Sequence, residues 1–334
     1  MANLTFASYN CQGLGSFQKR KDVFDYLRKK KYSVYFLEDT HIENSEVVEK
    51  KVRAEWGFDC YFSSYKSNSR GVAILFNNNF EFKVNGVIKD VNGNYLIVNI
   101  KTPEKEFTLI NIYGPNRDSP DFYAKIENIV IENNYFNIIW GGDWNLVLNP
   151  NLDYMNYKHT NNQKAREKVI EITDNLSLVD VWREINPEKR RYSWRRNNPL
   201  QQARLDFMLV SNSLISYIKD CKILPGYRSD HSIVLIELEL KKEGKNANLW
   251  KFNSSLLKDK KYAEEINNTI LRVTEQYSVP VYNIENIHNI SKDELQLTIS
   301  DQLFLDVILM EIRNTTINYA SKKKKKKITK KKLR

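Results

Sequence analysis

Trp140-Gly141-Gly142-Asp143-Trp144-Asn145 is the stretch on which the reading of this chain turns. The residues just before it, 136–140, are mostly apolar and predict a short buried strand. A strand ending in two glycines lets the backbone turn sharply and approach another group closely. The side chains that follow are then presented at the strand's end, where open α/β sheets place their ligands. Asp143 and Asn145 lie two apart, so on an extended segment they point the same way. The aspartate can accept a proton or hold a cation or a water, and the asparagine can hold an oxygen by a neutral hydrogen bond. A lone Gly-Asp-x-Asn reads equally well as a polar turn after a core strand, because Gly, Asp and Asn are the common turn residues. The rest of the chain decides between the two.

At 334 residues the chain can hold one large domain with an appendage, or two domains. Hydrophobic residues make up 41% and aromatics 12%, enough for a sizeable core. The longest apolar runs are strand-length, far short of the roughly 20 residues that a membrane helix needs. The opening Met1-Ala2-Asn3-Leu4-Thr5 lacks the basic region and apolar stretch of a secretory signal. Cys11, Cys60 and Cys221 are odd in number and widely spaced, with no Cys-x-x-Cys. That argues against a disulfide scaffold or a zinc site and fits a reducing compartment.

The net charge of +11 is a property of one end. Residues 322–334 carry ten of the 52 basic side chains and no acid, which leaves 42 bases against 41 acids in the body. A run of this kind is expected to be a disordered tail that attracts polyanions, RNA among them. It reads as well as a solvated end without function.

Along the chain, residues 4–10 alternate and predict a strand that ends in Asn10-Cys11-Gln12-Gly13. Residues 17–30 carry a helical pattern, with Val23, Tyr26 and Leu27 able to share a face opposite basic residues. A second strand, 32–37, ends in Glu38-Asp39-Thr40-His41, and a helix over 45–56 follows. Strands are expected near 58–62, 71–76, 81–88, 94–100 and 107–112, then a helix near 119–132 leading to the opening stretch. After a helix near 162–175, residues 192–194 and 204–210 read as two strands around a hairpin, and 233–240 as the last strand. Polar side chains gather at strand ends: Asn10, Asp39, Tyr113, Asp143, Asn145, Asp206 and Asp230-His231. Two packed sheets with helices outside would bring those ends to one rim. Beyond about 245 the pattern turns helical, over 256–277 and 292–319, with a poorly patterned link at 278–291. The expected division is a domain at 1–240, a helical linker region at 241–320 and the Lys-rich tail at 321–334.

Asn10-Cys11-Gln12-Gly13, Leu37-Glu38-Asp39-Thr40-His41, Asn111-Ile112-Tyr113-Gly114-Pro115, Gly142-Asp143-Trp144-Asn145, Arg204-Leu205-Asp206-Phe207 and Ser229-Asp230-His231 occur in that order. Together they resemble the exonuclease–endonuclease–phosphatase superfamily. The nearer resemblance is to the apurinic-type endonuclease domain at the start of LINE-type (non-LTR) retrotransposon polyproteins. Trp194-Arg195-Arg196 and Pro225-Gly226-Tyr227-Arg228-Ser229-Asp230-His231 look like that subgroup, and Leu249-Trp250-Lys251-Phe252-Asn253 resembles the linker after the domain. The resemblance covers residues 1–240. It implies an α/β fold, a four-layer α/β sandwich of two packed mixed β-sheets flanked by helices, here with a C-terminal helical extension. It also implies a Mg²⁺-dependent phosphodiesterase, with Mn²⁺ as a substitute. Two departures stand out. Aligning on Thr40-His41 puts Asp39, one methylene shorter than the usual Glu, at the metal position and Glu38 where Gln is usual. Adjacent strand residues point oppositely, so only one of the two can reach the metal, and Asp39 is the expected one. Gln12 stands where repair members carry an acid, which fits the retrotransposon branch better.

Phosphodiester hydrolysis needs a hard cation on the phosphate, an activated water and stabilisation of the developing charge. On the resemblance, Asp39 is the metal ligand with Asp230 as a second contact, and Asp143, helped by Asn145, orients or deprotonates the attacking water. His231 would touch the scissile phosphate while Asp206 holds its imidazole. Tyr113 and Asn10 would bond phosphate oxygens or neighbouring ligands. Taken singly, Asp230-His231 reads as a loop pair and Tyr113 as core. Asp206 between Leu205 and Phe207 is harder to dismiss, since an inward carboxylate is costly unless paired. His41 and His159 read as surface or structural, His288 lies outside the domain, and Cys11 reads as core.

Lys189-Arg190-Arg191-Tyr192-Ser193-Trp194-Arg195-Arg196 is the best basic–aromatic patch in the body. Arg191, Trp194, Arg195 and Arg196, with Arg228, are expected to contact double-stranded DNA; a solvated hairpin with its Trp in the core is the plain alternative. The expected activity is nicking of one DNA strand to leave a 3′-hydroxyl, by a monomer, in the nucleus, with no membrane involved. The rivals are an abasic-site repair nuclease or phosphatase on the same fold, and a decayed copy that only binds nucleic acid. No Tyr-x-Asp-Asp of a reverse transcriptase is present, so a fragment, a truncated copy or a co-opted domain is expected.

Overall fold

In the computed structural model, which describes residues 2–78, 80–157, 162–240, 254–279 and 296–332, a run of alternating side chains starts the first sheet. Strand β1 (Ala2–Asn10) turns Leu4 and Phe6 to one face and Ala7 and Tyr9 to the other, and both faces are buried. Helix α1 (Phe17–Lys30) lays Val23, Phe24 and Leu27 on the second face. It ends with Arg28, Lys29 and Lys30 in its last turn, where cations suit the helix dipole, and with Lys31 left-handed at φ 57°. The chain returns in β2 (Val34–Glu38), parallel to β1, and passes through α2 (Glu46–Trp56) to β3 (Cys60–Ser63) and β4 (Val72–Phe76). The second sheet begins with β5 (Lys83–Lys89), β6 (Tyr95–Lys101) and β7 (Glu106–Tyr113), and α3 (Pro120–Glu132) carries the chain over to β8 (Ile138–Asp143). There follow β9 (Tyr154–Met155), α4 (Gln163–Asn175), β10 (Leu178–Asp180), α5 (Val181–Ile185), β11 (Trp194–Asn197), β12 (Leu200–Ala203), β13 (Asp206–Ser211), a 3₁₀ turn (Asn212–Tyr217), β14 (Ile218–Leu224) and β15 (Ile233–Leu240).

Two six-stranded mixed sheets result, in the orders β14-β15-β1-β2-β4-β3 and β10-β13-β8-β7-β6-β5. Their facing sides share one core, in which Phe6, Phe36 and Ile74 of the first sheet meet Val98, Leu109 and Met208 of the second. The outer face of the first sheet packs on α1 and α2, and that of the second on α3 and α4. The four layers are therefore helix, sheet, sheet, helix, as the sequence predicts. Each sheet holds one parallel pair joined by a helix, β1-α1-β2 and β7-α3-β8. The carboxyl ends of those four strands carry Asn10, Glu38, Tyr113 and Asp143. Among the described residues no helix is long and apolar enough to cross a membrane.

Three local expectations change. The two glycines do not end the strand: β8 runs on through them to Asp143, because β13 continues to pair with it, Asp206 opposite Asp143. Gly142 takes φ 145°, and a Cβ there would run into the Ile112 carbonyl oxygen. The hairpin is β11–β12, completed by β9 into a three-stranded ribbon, while the strand expected at 204–210 starts at Asp206 and joins the second sheet. Strands β10 and β14 were not expected at all; β14 is an edge strand whose charged alternate residues mask its pattern.

The chain divides into two compact units, Met1–Lys245 and Asn246–Arg334. In the second, α6 (Lys260–Tyr277) meets α7 (Asp301–Lys332) through Tyr262 Oη and Thr316 Oγ1 at 2.7 Å and an Arg272–Glu311 pair. The helix continues through the lysine run to Lys332, where disorder was expected from 321. Lysine is a good helix former once a preceding turn has supplied the nucleus. His159, His288, the stretch 249–253 and most of the link at 278–291 lie outside the described residues.

Candidate active site

The strand ends meet across the sandwich. Asn10 closes β1 and Asp143 closes β8, and the Asn10 Nδ2–H donates to Asp143 Oδ2 at 2.8 Å, from one sheet to the other. Asp143 Oδ1 accepts the Asn145 backbone N–H at 3.0 Å, so both carboxylate oxygens are held. Asn145 sits just past the strand at φ 50° and donates Nδ2–H to the Gly114 carbonyl at 2.7 Å, which ties the ends of β7 and β8 together. Beside Asp143, Asp206 is wholly buried; its carboxylate accepts the Ser193 hydroxyl at 2.6 Å and the His231 Nδ1–H at 2.8 Å. Those partners explain how an inward carboxylate is tolerated in the strand. His231 Nε2 makes no hydrogen bond to a described residue, and lies 3.9 Å from Asp143 Oδ2 and 3.9 Å from Asp230 Oδ1.

Charge in this cluster is set by burial and proximity. Burial, followed by repulsion from Asp206, pushes the Asp143 carboxyl up to about 7, against the pull of His231 and its hydrogen bonds. For His231, burial works against the charged ring, but Asp206 and then Asp143 outweigh it and raise the imidazole to about 9. At neutral pH the site thus holds an imidazolium gripped by one carboxylate and facing a second that is ready to take a proton. The Tyr113 phenol is pushed up by burial and then by Asp39 and Asp143, so it remains a neutral donor.

The adjacent acids Glu38 and Asp39 separate as the pleat requires. Glu38 is fully buried beneath the site; its Oε1 accepts the Ser8 hydroxyl at 3.0 Å and its Oε2 has no partner among the described residues. Burial, then Asp206, holds its carboxyl well above the usual range. Asp39 turns outward at φ 49° and lines the cleft, with Oδ1 accepting from His41 Nε2 at 3.0 Å and from the Arg70 backbone at 3.1 Å. His41, expected to be surface or structural, is therefore a hydrogen-bonded neighbour of the candidate ligand. The cleft, about 260 Å³, is lined by polar side chains, among them Asn10, Asp39, Asp143, Asn145, Asp230 and His231, and by Tyr113, Tyr157, Trp194 and Leu205.

That donor set suits a hard divalent cation: oxygens predominate, and Asp39, Asp143 and Asp230 crowd more negative charge together than His231 offsets. Asp143, Asp206 and His231 also bring one ligand atom each within 4.8 Å. This trio is a poorer cation site, because the imidazolium carries a proton on each nitrogen and Asp206 is committed to it.

The basic residues divide. Trp194 and Arg196 line the cleft. Arg195 alternates to the far side of β11, opposite Gln202. Arg191 donates to the Ile223 carbonyl at 3.4 Å, and Arg228, left-handed at φ 58°, pairs with Asp22 of α1 at 2.7 Å; neither lines the cleft. Ser193 and Ser229 were missed by the sequence reading. The Ser229 hydroxyl donates to the Asn10 carbonyl at 2.7 Å and accepts the His231 backbone N–H at 3.1 Å. Serine beside Asp-His and Tyr-Ser-Trp were the available signals, but a lone serine carries too little information to act on.

Residues 7–231 match the family described as Endonuclease/Exonuclease/phosphatase. The chain is 28% identical over 275 residues to the Transposon TX1 uncharacterized 149 kDa protein of Xenopus laevis, a match covering 80% of this chain and 20% of that protein. The chain thus spans about a fifth of the length of this relative. Among solved structures, AP endonuclease LMAP of Leishmania major superposes with TM-score 0.59 at 18% identity, covering 72% of this chain and 88% of that one. An AP endonuclease of Archaeoglobus fulgidus gives 0.57 at 20% identity, covering 71% and 100%.

Proposed function

The chain belongs to the Endonuclease/Exonuclease/phosphatase family, and on that premise we propose that it is a Mg²⁺-dependent DNA endonuclease that nicks one strand of a duplex and leaves a 3′-hydroxyl. The observation that carries the reading is the buried Asp206–His231 pair, whose free Nε2–H faces Asp143 across an oxygen-lined cleft. A charged donor opposite a carboxylate of near-neutral pKa suits a phosphodiester attacked by water. His231 donates to a non-bridging phosphate oxygen, and Asp206 with Ser193 keeps it charged and oriented. Asp143, fixed by Asn10 and the Asn145 N–H, positions the water and takes its proton. Tyr113 donates to a phosphate oxygen. Asp39 and Asp230 hold the Mg²⁺, with Mn²⁺ able to replace it; when bound it supplies positive charge to the phosphate.

The substrate is double-stranded DNA, contacted by the β11–β12 hairpin through Arg196 and Trp194, in the nucleus. The likeness to a transposon protein supports a retrotransposon origin, in which the 3′-hydroxyl would prime reverse transcription. The lysine run supplies a contact for RNA.

The test is nicking of supercoiled plasmid by the full chain with Mg²⁺ or EDTA, beside Asp143→Ala and His231→Ala. Mg²⁺-dependent open circles that vanish in both variants support the reading. Cutting confined to abasic duplex would assign a repair nuclease instead, and binding without cutting would leave a nucleic-acid-binding protein.

A further inference from the structure

We propose that Asn162 is a positioning residue: its amide holds the turn at Asn145, and through that turn the Asp143 carboxylate in the cleft. The inference rests on the role of Asp143 proposed above. Asn162 stands at the N-cap of α4 and is 8% exposed. An asparagine at that position ordinarily turns its side-chain oxygen to its own helix and accepts the N–H two or three residues on. This one makes no such bond. The task falls to Asp118, from the loop after β7, whose carboxylate accepts the Lys164 N–H at 3.2 Å and the Ala165 N–H at 2.7 Å. The Asn162 amide is thereby released to face the other way, and its Nδ2–H donates to the Asn145 carbonyl at 3.0 Å.

The need for such a restraint lies in the backbone of Asn145. Its φ of 50° is left-handed, a conformation that a residue with a Cβ enters only at a cost. The two peptide planes that flank it are each held from outside. The Trp144 carbonyl accepts the Tyr123 hydroxyl of α3 at 2.6 Å, and the Asn145 carbonyl accepts the Asn162 amide. With both planes set, the Asn145 N–H stays on Asp143 Oδ1 at 3.0 Å and the Asn145 side chain stays on the Gly114 carbonyl at 2.7 Å. Without the Asn162 donor, the strained residue can relax toward ordinary backbone, and its N–H then leaves the carboxylate. Asp143 would keep its bond to Asn10 and turn about it, so the water that it positions would lose its fixed place.

Asn162→Asp in the full chain is the test. Aspartate is nearly isosteric, caps a helix as well as asparagine does, and presents an acceptor where the Asn145 carbonyl needs a donor. Nicking by the variant is expected to fall about fivefold in kcat, the weight of one hydrogen bond, with KM within about twofold of wild type. Asn162→Ala removes the donor without adding charge and is expected to behave alike. Wild-type turnover in either variant overturns the proposal, and a raised KM at unchanged kcat overturns it by making Asn162 a substrate contact. An activity-free readout stands beside these. In Asn162→Asp the backbone N–H of Asn145 is expected to exchange with deuterium about fivefold faster, while the amides of the β8–β13 ladder keep their wild-type rates. An unmoved Asn145 rate overturns the proposal even if the wild-type chain nicks no DNA, and so does faster exchange spread evenly through the second sheet, which would make Asn162 a general prop. A missing nicking activity in the wild type alone overturns only the endonuclease reading.

Discussion

Asp143→Asn is expected to make the protein more stable and inactive at once, above neutral pH and without divalent cation. The carboxyl rises from 3.8 to about 7 on folding. A carboxyl whose folded pKa is raised binds its proton more tightly in the native state, so stability falls as pH climbs from 3.8 to about 7 and stays reduced above that. At pH 8 the full difference, about three pKa units, corresponds to roughly 4 kcal/mol as a ceiling. Asparagine keeps one acceptor and so loses one of the two bonds now made with Asn10 and the Asn145 N–H, a cost of about 1–2 kcal/mol. The attraction of His231 already lowers the folded pKa and lies inside that ceiling, so the net gain is about 2–3 kcal/mol at most, or roughly 4–12 °C in Tm for a unit of this size. At pH 5 the wild-type penalty shrinks to about 2 kcal/mol and the gain should vanish. Of the six tryptophans only Trp250 lies beyond the first unit, so thermal unfolding in EDTA followed by tryptophan fluorescence reports on that unit. Mg²⁺, held by Asp39 and Asp230, should raise the Tm of wild type and variant alike. A variant less stable than wild type by the same margin at pH 5 and pH 8, or one that still nicks, refutes the reasoning.

Two further outcomes are expected. Arg204→Met should cost about 3–5 kcal/mol by removing the buried guanidinium that now bonds Asp153 and Asp180 at 2.8 and 2.7 Å, leaving Asp153 with Arg183 as its cationic partner and Asp180 with the Arg183 N–H; a urea midpoint close to wild type would contradict this. Glu38→Gln should leave nicking intact and change stability by no more than about 1 kcal/mol, because burial already disfavours the charged form of the carboxyl and the amide keeps an acceptor for the Ser8 hydroxyl. A loss of divalent-ion binding in that variant, read by Mn²⁺ titration, would show that Glu38 and not Asp39 reaches the metal.

The two-layer sheet core was legible because its strands are short apolar runs ended by polar residues, and α1 and β15 fall where periodicity places them. The site was legible as a set of strand-end residues, since parallel strands linked by helices must put their carboxyl ends on one rim. What escaped the sequence depends on backbone geometry without a local signature. Gly142 permits β8 to continue rather than to stop. Left-handed backbone at Arg228 sends it to Asp22, although it stands three residues from His231. Ser193 matters because a bridge between β11 and the Asp230–His231 loop sets it on Asp206, and that pairing joins positions 13 residues apart through a ribbon.

The Glu38–Asp39 step shows why spacing alone could rank these acids but not assign them. Alternation says that one of the pair reaches the cleft and the other does not, and it says nothing of which. Register supplies the rest: Glu38 is the last paired residue of β2, opposite Asn10. Its side chain therefore continues the pleat inward toward Ser8, while Asp39 is the first residue free of the ladder. Freed from pairing, Asp39 takes a left-handed turn that points its carboxylate into the cleft, where His41 and the Arg70 N–H steady it. The shorter side chain is thus offset by a backbone that turns toward the cleft instead of lying flat. Burial disfavours the charged form of the inner glutamate, because an ionised Glu38 would sit beside Asp206 and Asp143 with one oxygen unpartnered among the described residues.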